Sequence, residues 1–322
     1  MQTLKFFNEI NKDDGAIAGG KGASLGEMAQ AGIPVPPGFV ILAATFDHFL
    51  DQTHLKQEIA ARLTEVNPSD MASIERVSVL LREAIHQATM PQNVAQEILQ
   101  AFDELDAEFV AVRSSATAED SSIASWAGEL ETYLNTTRDT VLENVKQCWS
   151  SLFTPRAIFY RFEKNLNNIN VSVAVVIQKM IQSEVSGIAF SVHPVTQNKN
   201  EMIIEAGFGL GEAIVGGVVT PDSYVVSKKE MMLLDIHIGH QSKKLERKKT
   251  SSTKFSEQGN NEWTELGEEG KRQKLSGQKI IELATLCKRI EEHYNFPCDI
   301  EWAFANGEFF ITQSRPITTL NS

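Results

Sequence analysis

The sequence predicts an α+β protein, in which sheets are flanked by helices. Its 322 residues, 42% of them apolar, suit one large or two medium lobes with a substantial core. Residues 45–105 carry apolar stripes at helical spacing, with charged residues between them. Residues 171–180 are an almost continuous β-branched run, which is typical of a central strand.

Shorter segments complete this pattern. Apolar runs bounded by turn residues predict further strands at 39–42, 109–112, 186–190 and 201–205. Residues 242–276 are rich in lysine, glutamate and serine without an apolar period, so we expect a mobile excursion there. An amphipathic helix at 278–294 then leads into a final hairpin at 298–316.

The final hairpin holds the most informative polar residues. Because strand side chains alternate, Asp299 and Glu301 share one face of the first strand. On the return strand the same alternation puts Gln313 and Arg315 on the face of Phe309 and Ile311. Two carboxylates, an amide and a guanidinium are a poor core but a suitable wall around a metal-bound polyphosphate.

Whether the two polar pairs meet depends on the turn at residues 306–307. A two-residue turn pairs Glu301 with Thr312 and sends Gln313 to the other face. A three-residue loop at 305–307, ending in a left-handed glycine, brings all four polar residues together. We favour the three-residue loop.

Composition limits the partners. The formal charge of -12 and the pI of about 5.1 argue against a nucleic-acid-binding protein. The basic residues near position 245 are therefore expected to be a solvated surface; they are Lys243, Lys244, Arg247, Lys248 and Lys249. No apolar run is long enough for a membrane span, and the N-terminus lacks the apolar region of a signal peptide. Three scattered cysteines fit a reducing cytoplasm.

A glycine-dense stretch at 15–28 contains a single lysine, Lys21, and runs into a helix. It nearly matches the P-loop pattern, but Gly22 stands where that pattern requires Ser or Thr to bind magnesium. A true P-loop is therefore not expected. Mobile backbone amides and one lysine still suit a phosphate chain.

A second polar stretch follows the strand predicted at 109–112. Arg113 stands at the end of that strand, and a hydroxyl-rich loop begins at Ser114. One interpretation is a phosphate-binding loop at the carboxyl end of a strand. The other is a solvated loop with an ion-paired Arg113. The composition does not decide between them.

Eight sequence motifs follow one another along the chain in the same order as in a known protein family. They are GGKGASLGEM at 19–28, IPVPPGF at 33–39, VRSSATAED at 112–120, SWAGELETYLN at 125–135, QKM at 178–180, EAGFGLGE at 205–212, IEEHYNFPCDIEWAF at 290–304 and ITQSRP at 311–316. With them the chain resembles the N-terminal ATP-binding domain of the phosphoenolpyruvate synthase and pyruvate phosphate dikinase family, which also includes rifampin phosphotransferase.

The resemblance implies a single ATP-binding domain over 1–322 with an ATP-grasp-like fold, in which mixed sheets are flanked by helices. It implies two lobes that clamp the nucleotide, lobe one at about 1–175 and lobe two at about 176–322. It implies that the phosphate chain and catalysis are served by Lys21, Arg113 and Arg315. It places Gly128 and Thr132 beside the nucleotide, and Gln178, Lys179 and Met180 at the adenine. It assigns Mg²⁺ and phosphate to Glu301 and Gln313, with Asp299 as a second acidic group. Phosphoryl transfer needs such placement and charge neutralisation more than covalent help.

Family enzymes pass the phosphoryl group of ATP to a histidine on a swivelling domain. None of the seven histidines here lies in a segment like the family's phosphohistidine motif. We therefore expect the acceptor on a separate polypeptide or on a missing downstream domain. Two alternatives stay open: an ATP-grasp enzyme that activates a small carboxylate or alcohol directly, and a regulatory subunit that binds ATP without turning it over.

Overall fold

The computed structural model of the chain describes residues 1–117, 131–163, 172–248 and 261–318. The chain divides into two compact units. The first comprises Met1–Glu27 and Pro37–Met180, and the second comprises Met28–Pro36 and Ile181–Ser322. The sequence instead suggests a boundary near residue 175. The break lies later because the strand that contains residue 175 is central to the first sheet, and a unit cannot end inside such a strand.

The first unit combines an antiparallel sheet with helices. Its elements are β1 (Leu4–Phe6), α1 (Gly15–Gln30), β2 (Gly38–Ile41), α2 (Ala43–Gln52), α3 (Leu55–Thr64), α4 (Met71–Gln87), α5 (Gln92–Glu104), β3 (Val110–Ala116), β4 (Thr132–Thr136), α6 (Val141–Ser150), α7 (Pro155–Glu163) and β5 (Val173–Lys179). The strands lie in the order β1-β2-β5-β3-β4, and every pairing is antiparallel. The last three residues of α1 belong to the second unit.

The helices α2 to α7 and one face of this sheet form a core. Alternate residues of β3 and β5 face the helices and are fully buried; they include Val110, Val112, Val173, Val175 and Ile177. On the helix side, the ring of Trp149 lies 5.6 Å from that of Phe46 and 4.9 Å from that of Phe49. Burial of each such side chain contributes roughly 1.5–3 kcal/mol. The predicted helices of residues 45–105 are confirmed.

Strand β3 is longer than the sequence predicts. The prediction ends the strand at Val112 and begins a loop at Ser114, but β3 continues to Ala116 and all its residues are buried. The hydroxyls can stay inside because they are hydrogen-bonded: Ser114 Oγ donates to the carbonyl of Glu131 (2.8 Å), and Ser115 Oγ accepts from the amide of Gly22 (3.3 Å). Arg113 therefore lies within an antiparallel strand.

The second unit has its own sheet. Its elements are β6 (Val185–Phe190), β7 (Glu201–Phe208), α8 (Glu212–Val215), β8 (Asp222–Ser227), β9 (Met232–His237), β10 (Lys243–Arg247), β11 (Asn261–Glu265), α9 (Gly277–Tyr294), β12 (Cys298–Ala305) and β13 (Glu308–Pro316). Six strands lie in the order β13-β12-β6-β7-β8-β9, while β10 and β11 form a separate two-stranded sheet. The α+β class is confirmed, although the sheets pair antiparallel throughout the described residues, where mixed sheets are expected from the sequence.

Helix α9 covers one face of the six-stranded sheet. The residues on that face are fully buried or nearly so, and include Ile204, Tyr224, Ile300 and Trp302. Because strand side chains alternate, the polar residues between them project from the opposite face. The periodicity at 278–294 correctly predicts this helix, which begins after Ser276, whose Oγ accepts from the amide of Lys279 (3.4 Å).

The described residues of the excursion predicted at 242–276 form regular structure, so the prediction is wrong for them. Strands β10 and β11 pair with each other, and Leu245 and Leu266 are buried. The carbonyl of Leu245 accepts from the amide of Leu210 (2.8 Å), and a β-carbon at Gly209 would lie 2.4 Å from the same carbonyl oxygen, so β10 passes close to residues 209–210. Lys249 and the rest of 249–260 lie outside the described residues. No helix in the described part of the chain has the length and apolar character needed to span a membrane.

Candidate functional site

The glycine-dense stretch forms helix α1, with one break. Gly19 has φ 68° and ψ 167°, a conformation open to glycine, and helical backbone resumes after it. A β-carbon at Gly19 would lie 2.2 Å from Ser115 Oγ and 2.4 Å from the Ser115 carbonyl oxygen. A β-carbon at Gly22 would lie 3.0 Å from Val40 Cγ2. The glycines therefore let α1 contact strands β2 and β3 closely, and the expected run of mobile amides is largely helical.

We expect Gly19→Ala to destabilise the first unit strongly. The left-handed backbone alone costs about 1–3 kcal/mol for a residue with a side chain, and the contact with Ser115 adds to that cost. The free energy of unfolding in urea measures the loss. Gly277→Ala is the matched control, because Gly277 opens α9 with nothing within 4 Å of its β-carbon position. That control is expected to be neutral or to stabilise by up to about 1 kcal/mol. Equal effects at both positions contradict the prediction.

Three predicted nucleotide-binding residues share one face of the first sheet. Arg113 stands opposite Thr132 on β4 and opposite Val176 on β5. Gln178 lies two residues along from Val176, and so it projects from the same face. Arg113 is 8% exposed and Gln178 2% exposed, whereas Thr132 is exposed. This face is the one on which Ser115 contacts Gly19 of α1.

Lys21 follows the break in α1 and is partly exposed. Its charge acts on the buried thiol of Cys148: burial raises the pKa of Cys148, the Glu131 carboxylate raises it further, and Lys21 opposes both. The net result is a pKa far above its ordinary value, so the thiol stays protonated and is no nucleophile. Lys21 and Glu131 are therefore charges of opposite sign that both act on the Cys148 thiol.

The strand end at 178–180 is already tied to its surroundings. The amide of Lys179 donates to the carbonyl of Pro37 (2.9 Å), and the amide of Met180 donates to that of Phe109 (3.0 Å). The ammonium of Lys179 donates to the carbonyl of Asp106 (3.1 Å). The backbone amides of Lys179 and Met180 are therefore already engaged within the first unit.

In the second unit, β12 and β13 bring the four polar hairpin residues together. Glu301 stands opposite Gln313 and Asp299 opposite Arg315, so all four project from one face. The predicted pairing is confirmed. Arg315 donates from Nε to Asp299 Oδ2 at 2.9 Å, and its NH2 nitrogen lies 2.9 Å from the same oxygen.

The turn that produces this pairing is not the expected one. Ala305 pairs with Glu308, so the loop has two residues, Asn306 (φ 53°) and Gly307 (φ 83°), as in a type I′ turn. The three-residue loop is therefore wrong. The change of face comes from a β-bulge: Trp302 pairs with Ile311 while Glu301 pairs with Gln313, which leaves Thr312 as the extra residue.

Because of the bulge, the return strand does not keep its apolar and polar residues on one face, as the sequence predicts. Phe309 and Ile311 stand opposite Phe304 and Trp302, on the face that carries α9. Gln313 and Arg315, beyond the bulge, project from the other face. A single inserted residue therefore separates the apolar part of β13 from its polar part.

The register extends this polar face across three more strands. Glu301 stands opposite Ile188 on β6, Ile188 opposite Glu205 on β7, and Glu205 opposite Ser223 on β8. Burial raises the pKa of Glu205, and the negative charge of Asp299 raises it further. Burial likewise raises the pKa of Asp299, although the guanidinium of Arg315 opposes this. Half-buried carboxylates with raised pKa values are disposed to accept a cation.

The polar face does not form a metal site by itself. Among the described residues, no group of three or more His, Cys, Asp or Glu side chains could enclose a metal ion. Carboxylate and amide oxygens from Glu301 and Gln313 are nevertheless the donors that a hard divalent cation prefers, and Mg²⁺ keeps water or phosphate oxygens as its remaining ligands. The donor set therefore fits a magnesium ion that is completed by a phosphate-bearing ligand.

The sequence matches the family described as pyruvate phosphate dikinase, AMP/ATP-binding domain, over residues 15–322. The chain belongs to this family. A probable phosphoenolpyruvate synthase of Methanocaldococcus jannaschii is 42% identical over 99% of the chain, and one of Archaeoglobus fulgidus is 46% identical over 97%. The rifampicin phosphotransferase of Bacillus subtilis is 36% identical over 97%. The chain spans 27%, 41% and 36% of these relatives respectively.

Among solved structures, D-alanyl-alanine synthetase A of Vibrio cholerae resembles 75% of the chain, and 54% of its own chain is covered. The identity is 11% and the TM-score 0.29, which carries no argument about fold. Membership of the dikinase ATP-binding family rests on the sequence match alone. It agrees with the family that the eight sequence motifs indicate.

One feature of this family member differs from the expected site. Glu205 was not among the predicted site residues, yet its register places it in the row of Glu301. The sequence signal that could have indicated Glu205 is its place directly after two isoleucines of a predicted strand, at the start of the motif EAGFGLGE. Gly128, which was expected beside the nucleotide, lies outside the described residues.

Proposed function

We propose that this chain is a Mg-ATP-dependent phosphotransferase module of an ATP-grasp-like kind, with residues 1–322 acting as one ATP-binding domain. The observation that carries the proposal is the polar face of the second sheet, where Glu301 pairs with Gln313 and Asp299 with Arg315. Family membership supports ATP as the ligand. The three cysteines of the chain are buried and form no disulfide, which supports a cytoplasmic location.

The first unit would supply cations and nucleotide contacts. Lys21 and Arg113 would bind the phosphate chain, where the fork of Arg113 offers a bidentate contact. Thr132 stands opposite Arg113, and it would lie beside the nucleotide together with Gly128. Adenine would meet residues 178–180, through carbonyl groups or the side chain of Gln178.

The second unit would supply the metal and one more cation. Glu301 and Gln313 would hold Mg²⁺ together with phosphate oxygens, and Asp299 would be a second acidic group. Arg315 uses only part of its guanidinium on Asp299 and its side chain is 50% exposed, so donors remain for a phosphate.

These groups suit transfer of a phosphoryl group to an imidazole nitrogen. The nitrogen forms a bond to phosphorus as the bond from phosphorus to the leaving nucleotide oxygen breaks. The leaving oxygen gains negative charge, which Mg²⁺ and the arginines would neutralise. The acceptor histidine would be supplied by another polypeptide or by a further domain, since none of the seven histidines lies in a segment like the family's phosphohistidine motif.

A mixing experiment tests the proposal. The chain is combined with Mg-ATP and a phosphohistidine domain from a phosphoenolpyruvate synthase, and phosphorus NMR follows the nucleotide and the protein. We expect phosphohistidine together with AMP or ADP, and neither product when EDTA removes magnesium. Intact ATP after incubation with a competent histidine domain contradicts the proposal. Release of ADP or AMP with a small carboxylate and no partner protein would instead support a stand-alone enzyme.

A further inference from the structure

A set of side chains outside the predicted site holds the beginning of strand β4. Glu131 immediately precedes Thr132, and its Oε1 accepts from Arg82 of α4 at 2.8 Å. Its Oε2 accepts from the hydroxyl of Tyr133. Burial and the hydrogen bond to Glu131 together raise the pKa of Tyr133 far above its ordinary value, so the phenol stays a donor. We call Arg82, Glu131 and Tyr133 the Glu131 cluster.

The main chain of Glu131 is held as well. Its carbonyl accepts from the amide of Ser114 (3.2 Å) and from Ser114 Oγ (2.8 Å). Ser114 is the neighbour of Arg113 on β3. The same residue therefore ties the start of β4 to helix α4 through its carboxylate and to strand β3 through its carbonyl.

Strand β4 depends on these contacts of Glu131 because its own pairing is weak. Within the described residues it is an edge strand, and β3 is its one neighbour there. The register shifts between Val110 and Val112, and Asn135 of β4 has φ 50°. A short, irregular edge strand does not fix its register well without side-chain anchors.

The alternation of strand side chains links the cluster to the nucleotide site. Tyr133 stands opposite Val112, which belongs to the buried face, and Glu131 contacts Arg82 of the helices that cover that face. Thr132, between them, must then project from the other face, where it stands opposite Arg113. A slip of one residue would move Thr132 to the helix side.

We propose that Glu131 is a positioning residue for ATP: it sets the register that places Thr132 beside Arg113. This inference rests on the proposed function, because it takes the Arg113 face to be the place where phosphates bind. Glu131 touches no reacting atom in this assignment. It acts through Thr132 and Arg113, with Arg82 and Tyr133 as its partners.

The test compares Mg-ATP with adenosine by isothermal titration calorimetry. In Glu131→Ala we expect Mg-ATP to bind about tenfold more weakly, since a charge-assisted hydrogen bond is worth roughly that factor. Adenosine lacks phosphates and should bind almost unchanged. Arg82→Ala should give a similar change in the ratio of the two affinities. The double variant should be no worse than Glu131→Ala alone, because Glu131→Ala already removes the contact with Arg82.

Controls separate positioning from general destabilisation. Asp103→Asn removes an exposed carboxylate–arginine pair with contacts of 2.6 and 2.9 Å to Arg138, and should leave the affinity ratio unchanged. If Glu131→Ala does not fold, Tyr133→Phe removes a single hydroxyl and should shift the ratio in the same direction. Conservative Arg82→Lys keeps the charge and should restore part of the lost affinity.

The outcomes distinguish the two proposals. No binding of Mg-ATP by the unmodified chain overturns the proposed function itself. Binding by the unmodified chain, with an unchanged ratio of affinities in Glu131→Ala and Tyr133→Phe, overturns the positioning role. An equal loss for both ligands also overturns it, because that pattern reports a structural role without preference for phosphates.

Discussion

Replacement of Glu301 by glutamine is expected to reduce phosphoryl transfer from Mg-ATP by about a thousandfold. The charge stabilisation that a metal ion supplies is worth several kcal/mol, and ~1.4 kcal/mol corresponds to a factor of ten. Glutamine keeps the size of the side chain and its place opposite Gln313 on the hairpin. The substitution therefore removes negative charge while leaving the pairing of β12 with β13 in place.

The measurement is the rate of phosphohistidine formation with a competent histidine domain, at several magnesium concentrations. We expect the apparent magnesium requirement to rise, since a neutral amide binds Mg²⁺ less well than a carboxylate. Glu308→Gln is the matched control, because Glu308 is an exposed acid on the same hairpin, directly opposite Ala305. Full activity in Glu301→Gln, at every magnesium concentration, would remove Glu301 from the proposed metal site.

Replacement of Lys274 by methionine is expected to destabilise the second unit by about 3–5 kcal/mol, the range measured when one partner of a buried ion pair is removed. The side chains of Lys274 and Asp222 are both 0% exposed, and their charged atoms lie 2.8 Å apart. The ammonium also donates to the carbonyls of Gly239 (2.6 Å) and Gly270 (3.2 Å). Loss of the lysine leaves the carboxylate of Asp222 buried without its cation.

The carboxylate has other partners, and these define the measurement. Asp222 accepts from the hydroxyl of Tyr224 (2.6 Å) and from the amides of Gly239 (2.9 Å) and residue 274 (2.8 Å). These bonds survive the substitution, so we expect a folded but less stable protein. Urea unfolding gives the change in free energy. The control is Lys271→Met, whose exposed pair with Glu268 contributes at most about 1 kcal/mol. Equal losses for the two variants would show that burial of the Lys274 pair is unimportant.

Local patterns predict much of the fold. The helical stripes of 45–105 and 278–294 and the β-branched run near 175 correspond to helices α2 to α5, helix α9 and strand β5. Each signal is local: it depends on which side chains recur at 3.6-residue or two-residue intervals, and the core then buries those side chains. The motifs likewise indicate the family, and the match over residues 15–322 agrees with them.

Local composition is misleading where contacts between distant residues decide the structure. Ser114 and Ser115 indicate a loop by composition, yet they lie inside β3 because Glu131 and Gly22 satisfy their hydrogen bonds. The lysine-rich residues near 245 indicate a mobile excursion, yet they form β10 because β11 pairs with it. In both cases the deciding partner is many residues away.

The final hairpin separates most clearly what the sequence determines from what the tertiary structure decides. By itself, the sequence determines that Asp299 and Glu301 share a face, and that a turn follows at Asn306-Gly307. Only the tertiary structure decides how the return strand meets them. A bulge at Thr312 changes the face of β13, and β6 and β7 bring Glu205 into the row of Glu301. The physical reason is that strand register is set by packing on both faces of the whole sheet, which no single segment contains.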